Sequence, residues 1–532
     1  MQLSVRVAIL FKCLFIGFVL FGCVQDLQAQ SNKAAKQEAT YRNPVISGDF
    51  ADPSVIRVGD TYYATGTSSE WAPHYPLFQS KDLVNWEPMG YVFPTTPAWM
   101  QSSFWAPELF YQNNTFYVYY TVKRKSDGKS CIGVASTKDL SKGFTDHGIV
   151  VEHGSESIDA YVWNENGQLY ISWKAYGLDK RPIEILASKL SSDGLTLQGQ
   201  PFTLLKESPD EKGIEGQCLV KKNGYYYLFY SAGACCGSGC TYNVRVARAK
   251  SINEPFVRYE KNPLLDKDDQ WKCPGHGTLV ETPDKRTFYL YHAYNSHDHV
   301  YTGRQAMLDE LLWDEATGWP YFKYAQSPSI QTPMPVVNSS QQKSCEFIDS
   351  FEATSLSSFW QWNFRSYTPV TNIEKGNLYL SGKVASGNKT GIALTVRPAK
   401  GNYEIITEVV NQNNALKGLV LYGDSSQAVG IGVKGNTVEV WEVKNNQRKL
   451  IKEETVMQAP IQLKLLVENG FMCRFYWRTG GKDWTEIKPA GEHSFYDGSF
   501  LPQWDRSARA GLFQYGEESQ PGVFSSFSLT YH

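Results

Sequence analysis

The chain has 532 residues, 42% hydrophobic and 20% charged, a length that predicts two or three globular domains rather than one. Formal net charge is −2 with no long basic run and no long acidic tract, which argues against nucleic acid as a partner. Aromatic residues make up 14%, a richness that suits β-structure.

The N-terminus reads as a leader. Arg6 and Lys12 precede or flank an apolar run from Cys13 to Phe21 that is too short to span a bilayer comfortably. Two exits are open. Leu27-Gln28-Ala29 offers a secretory cut, giving a signal peptide over 1–29, while Leu20-Phe21-Gly22-Cys23 resembles a bacterial lipobox that would leave Cys23 lipid-anchored. Either way the expectation is export, to the periplasm or outer surface of a bacterium.

From residue 41 to 325 one unit recurs five times, a turn followed by an aromatic strand. Its copies are Asp60-Thr61-Tyr62-Tyr63, Asn114-Thr115-Phe116-Tyr117, Gly167-Gln168-Leu169-Tyr170, Gly224-Tyr225-Tyr226-Tyr227 and Lys285-Arg286-Thr287-Phe288-Tyr289. They are spaced by about 53 to 62 residues, the range of a four-stranded propeller blade. A second marker, Ser80-Lys81, Ser136-Thr137-Lys138 and Ser188-Lys189, follows the first three aromatic strands and predicts the turn out of a third strand. Helical periodicity is scarce, so the expectation is an all-β, five-bladed propeller.

About twelve residues before each aromatic marker lie Asp52, the 105–108 stretch, Asp159, Glu215 and His276, in blade order. A propeller aims equivalent positions of its blades at one channel. Two aspartates, a glutamate, a histidine and the Trp105–Glu108 cluster are therefore expected in one pocket. Cys218, Cys235, Cys236, Cys240 and Cys273 fall in the last two units. With no CxxC pair beside them, disulfides near the pocket rim are expected rather than a zinc site.

Residues 326–344, rich in Pro, Ser and Gln, read as a linker. Beyond it, Val438-Glu439-Val440-Trp441-Glu442-Val443 and Ile461-Gln462-Leu463-Lys464-Leu465 alternate with period two. A β-sandwich over 345–532 is the expectation, with no acid–base constellation of its own.

The carboxylates suit glycosidic bond cleavage, which needs an acid for the leaving oxygen and a base or nucleophile at the anomeric carbon. Carboxylates on separate blades leave room for a water, favouring inversion. Asp52 is the candidate base and Glu215 the candidate acid; Asp159, between them in blade order, is expected to raise the pKa of Glu215 by like-charge repulsion. Trp105 is a candidate sugar-stacking platform, Glu108 a candidate hydroxyl ligand, and Trp71 a candidate wall in the loop after the first aromatic strand.

These blocks carry a resemblance. Gly48-Asp49-Phe50-Ala51-Asp52-Pro53-Ser54, Phe104-Trp105-Ala106-Pro107-Glu108, Ser157-Ile158-Asp159, Ile214-Glu215-Gly216 and Pro274-Gly275-His276-Gly277 resemble, in order, those of glycoside hydrolase family 43. The resemblance implies inverting hydrolysis of pentosides, with Asp52 as base, Asp159 as pKa modulator and Glu215 as acid. It also implies that Arg304 reaches the sugar and that His276 sits beside a channel cation, usually calcium held largely by water; no organic cofactor is implied. The C-terminal part is similar to concanavalin-like sandwiches appended to many members, where a loop closes the pocket.

The expected activity is exo-acting removal of terminal α-L-arabinofuranosyl residues first and β-D-xylosyl residues second, from arabinan, arabinoxylan or xylan, by a monomer. Cys235-Cys236 resembles arabinan-cleaving members and tilts the choice toward arabinose. Endo-1,5-α-L-arabinanase is the alternative enzyme. A non-catalytic carbohydrate-binding propeller or lectin is the alternative of another class, and it has no need of three carboxylates together.

Overall fold

The computed structural model describes residues 39–175, 183–336, 341–456, 460–488 and 494–532. The leader, with Cys23, lies outside the described residues. Among them the only helical pieces are two short 3-10 turns, Leu140–Lys142 and His299–Tyr301. No helix there is long and apolar enough to cross a membrane.

Five four-stranded antiparallel sheets form the blades of the propeller, four of them from consecutive strands and the first interrupted by the short strand Trp71–Ala72. Their innermost strands are Ser54–Val58, Met100–Gln112, Ser157–Glu165, Ile214–Lys222 and Trp271–Glu281, for blades 1 to 5. Each predicted aromatic marker opens the second strand of a blade. Buried rings from it pack between blades, as with Tyr62, Tyr227 and Tyr289. That packing explains the repeat: flat sheets stacked radially need large side chains to fill the widening gap, and aromatics bury the most area per residue.

The ring is tied at its ends. Thr40–Arg42 pairs antiparallel with Gln331–Pro333, and Val55 N–H of blade 1 donates to Thr278 Oγ1 of blade 5 at 2.8 Å. The stretch 326–344 is therefore no free linker. One part of it is a strand of the closing pair, and Lys343 N–H donates to Asn85 Oδ1 at 3.0 Å.

The C-terminal domain is a sandwich of a nine-stranded and a six-stranded sheet. Tyr403–Val409 and Ile461–Glu468 alternate buried and half-buried residues along their length, the signature of strands with one face on the core. Leu394, Leu419, Ile431, Val440, Leu463, Phe475 and Phe527 share that core. The two domains are joined by more than chain: Trp71–Ala72 of the propeller pairs with Trp362–Asn363 of the sandwich.

Candidate active site

The repeat phase seen in the sequence has a backbone cause. Asp52, Ala106, Asp159 and His276 all have positive φ, between 40° and 59°, and Gly216 sits at 59° beside Glu215. In blades 2 to 5 the pairing register slips at these points. Such bulges turn side chains out of the sheet and toward the channel. Gly216 is required here: a Cβ on it would lie 2.7 Å from Cγ of His276.

The pocket has a volume of about 530 Å³ and is lined by Asp52, Asp159, Glu215, His276, Arg304 and Trp105, among others. Asp52 is held on every side. Thr67 Oγ1 donates to Oδ2 at 2.6 Å, Arg304 Nη1 to Oδ1 at 3.2 Å, and the Asp52 N–H donates to His292 Nδ1 at 3.0 Å. Burial alone would raise the Asp52 carboxyl. The Arg304 guanidinium, with His292 and His276, outweighs burial and holds it well below the usual carboxylate range.

Asp159 accepts from Gly216 N–H at 3.0 Å through Oδ2. Its own N–H donates to Thr121 Oγ1 at 3.1 Å, and Gln217 Nε2 donates to its carbonyl at 2.5 Å. Burial, reinforced by the Glu215 charge, raises Asp159 to about 7 against the opposing pull of His276 and Lys174. Glu215 moves the other way. Burial raises it, but Lys174, whose Nζ lies 2.5 Å from Oε2, brings the balance below the ordinary value. The direction for Glu215 is thus opposite to the expected rise, because a cation absent from the sequence reasoning sits against it.

His276 Nδ1 lies 3.4 Å from Asp52 Oδ1 and 3.7 Å from Asp159 Oδ2, and the His276 backbone N–H donates to Ser231 Oγ at 2.8 Å. Among the described residues no three His, Cys, Asp or Glu side chains form a group able to hold a metal ion. Calcium prefers six to eight oxygens, whereas His276 offers a nitrogen and the carboxylates beside it already have protein partners. The side chains do not fit a protein-built calcium cage. A water-held cation beside His276 stays a proposal resting on the resemblance, and no step below uses it.

Two expected ligands are elsewhere. Trp71 is fully buried; it packs in the sandwich core against Tyr422, with Arg509 stacked 4.4 Å over its ring. It bolts the domains together and does not wall the pocket. Glu108 is buried; Ser54 Oγ donates to its Oε2 at 2.6 Å, and burial raises it to about 8. It links blades 1 and 2 through Ser54 and is not among the residues that line the pocket.

Four residues escaped the sequence reasoning. Lys174 and His292 are each the one basic residue in a mostly buried, aromatic-rich strand, which was the available signal. Trp504 and Asp505 come from the sandwich and line the pocket. Trp504 stands edge-on to Trp105, ring centroids 6.3 Å apart, and the Asp505 carbonyl accepts from Arg304 Nη2 at 3.0 Å. Asp49 fixes that segment by accepting from Arg304 N–H and Ser507 N–H, both at 3.1 Å. The cysteines form two bridges, Cys235–Cys236 and Cys240–Cys273, the first of which lines the pocket. Cys218 is a free, buried thiol.

A five-bladed ring that brings two buried carboxylates, a half-buried third and an arginine to one sugar-sized pocket is the apparatus of a glycoside hydrolase. The family model "Glycosyl hydrolases family 43" matches residues 41–320, more than half of the chain, and the chain belongs to that family. The model "Beta xylosidase C-terminal Concanavalin A-like domain" matches residues 348–529. Relatives include the extracellular exo-α-(1→5)-L-arabinofuranosidase ArbA of Cellvibrio japonicus, 29% identical over 51% of this chain and 86% of its own length. A putative β-xylosidase of Xylanibacter ruminicola is 25% identical over 87% of this chain and 85% of its own. The crystal structure of GH43 BlXynB from Bacillus licheniformis superposes with a TM-score of 0.79, covering 93% of this chain and all of its own. At 21% identity that likeness is one of fold.

Proposed function

We propose that this enzyme is an exported, exo-acting, inverting pentosidase that removes terminal α-L-arabinofuranosyl residues from plant cell-wall oligo- or polysaccharides. The observation that supports the exo reading is the segment 504–505: an endo-acting groove must run open past the reacting sugar, and here the sandwich adds Trp504 and Asp505 to the pocket lining, with Trp504 edge-on to Trp105. A β-D-xylosyl preference is the second reading. It is favoured by the relative that spans both domains, whose name is putative β-xylosidase. The protein is proposed to act as a monomer, free or anchored through Cys23.

Asp52 is the base. Its depressed carboxyl is ionised at any working pH, and Arg304 orients it. It takes a proton from the water that attacks the anomeric carbon. Glu215, on a blade that does not neighbour that of Asp52, gives its proton to the leaving oxygen. Asp159 shares the acid's proton and positions the acid through Gly216 N–H. Water and leaving group lie on opposite sides of the sugar, so the configuration inverts.

The test is a side-by-side assay of an aryl α-L-arabinofuranoside, an aryl β-D-xyloside and linear arabinan, with proton NMR of the first-formed sugar. Cleavage of the arabinoside with an inverted first product is expected. Retention in that product sinks the single displacement, and internal cuts in arabinan sink the exo reading.

A further inference from the structure

Blade 3 puts one more charge into the pocket. Lys174 lies on the strand Gln168–Ala175, whose Ile171, Trp173 and Ala175 are buried, and it is itself only 3% exposed. A buried ammonium is unfavourable unless paired, and its partner is Oε2 of Glu215 at 2.5 Å. Four other polar groups face Glu215: Asp159 of blade 3, His276 of blade 5, the Tyr242 hydroxyl, and Glu156 just ahead of the innermost strand of blade 3.

A general acid is neutral before proton transfer and an anion after it. Negative charge therefore grows on Glu215 as the glycosidic bond breaks. A cation already against that carboxyl stabilises the transition state more than the ground state, which is the condition for catalysis. The same cation weakens the hold of Glu215 on its proton, while Asp159 strengthens it. Acid strength and protonated fraction are set by these two neighbours together.

We propose that Lys174 is a positioning residue for the acid step: its ammonium holds Glu215 through Oε2 and stabilises the carboxylate left when the proton departs. This rests on Glu215 being the acid. In the balanced step, the proton of Glu215 passes to the glycosidic oxygen and the bond from that oxygen to the anomeric carbon breaks toward the oxygen. The oxygen of water bonds to the carbon, and Asp52 takes the proton of the water. Lys174 keeps all its protons throughout.

The experiment compares full-length wild type, Lys174→Met, Lys174→Arg and Glu215→Gln on phenyl and dinitrophenyl pentosides. Lys174→Met should lower kcat about 10- to 100-fold on the phenyl substrate, whose leaving group needs the acid, and by less than about threefold on the dinitrophenyl one. Its alkaline limb of kcat/KM should move to higher pH, because Glu215 without the cation keeps its proton longer. Lys174→Arg should restore both. Equal losses on the two substrates with an unmoved limb overturn the proposal and leave Lys174 structural. If Lys174→Met does not fold, as judged by circular dichroism, Lys174→Gln takes its place with the same criteria. Glu215→Gln separates the two claims: an equal loss on both substrates removes Glu215 as the acid. If Glu215→Gln discriminates between the substrates and the Lys174 variants do not, only the role of Lys174 falls.

Discussion

Arg304 joins the base to the accessory domain: Nη1 lies 3.2 Å from Asp52 Oδ1 and Nη2 donates to the Asp505 carbonyl at 3.0 Å. Its side chain is buried, and Nε has no protein partner. Asp52→Asn should cost about a hundred- to ten-thousand-fold in kcat on every substrate, since water attack needs the base whatever the leaving group.

Arg304→Gln should act through the same carboxylate. Arg304 is the largest charge lowering Asp52, so its loss raises the carboxyl, and the base is protonated at a higher pH than before. The acidic limb of kcat/KM should move upward, with a raised KM. An acidic limb that stays in place would mean that the arginine serves only to bind sugar.

Asp159→Asn tests the shared proton. Asp159 and Glu215 together keep one proton up to about pH 7, the value to which burial and the charge of Glu215 raise Asp159. Without that second carboxyl, Glu215 stands alone with Lys174 and gives up its proton earlier. The alkaline limb should shift to lower pH, opposite to the shift from Lys174→Met. A limb unchanged in Asp159→Asn leaves Asp159 only its structural bond to Gly216 N–H.

The repeat made the site legible because propeller symmetry converts equal sequence phase into convergence, and the positive φ shared by Asp52, Asp159 and His276, with bulges at the last two, is its local expression. Spacing says nothing of partners from other blades, so Lys174 was missed and the direction of the Glu215 shift with it. Trp71 and Glu108 were misplaced for a related reason. An aromatic in a loop or an acid on an inner strand can face the pocket, the domain seam or the lower channel, and only packing decides among them. Trp504 is 452 residues from Asp52 in the chain, beyond any periodic signal.

Trp71→Ala separates a bolt from a pocket wall. A fully buried tryptophan in a packed core is worth about 3–5 kcal/mol on truncation. The variant should melt at a clearly lower temperature yet show nearly the wild-type KM while folded. A raised KM with an unchanged melting temperature would return Trp71 to the pocket.

Cutting the chain near Pro335 tests what the sandwich does. The cut uncovers Trp71 and Ala72, both buried in the whole chain, removes the strand Trp362–Asn363 that pairs with them, and strips Arg304 and Asp49 of their partners Asp505 and Ser507. The isolated propeller should be insoluble or inactive even on small aryl pentosides. Trp504→Ala in the full chain leaves that seam intact and removes only the edge-on partner of Trp105. It should stay folded and lose about tenfold in kcat/KM, equivalent to about 1.4 kcal/mol. A dangling carbohydrate-binding module predicts the opposite pattern: full turnover of aryl substrates by the truncated protein, and losses on polymers alone. A soluble propeller with unchanged turnover would remove the sandwich from the active site, and Trp504 with it.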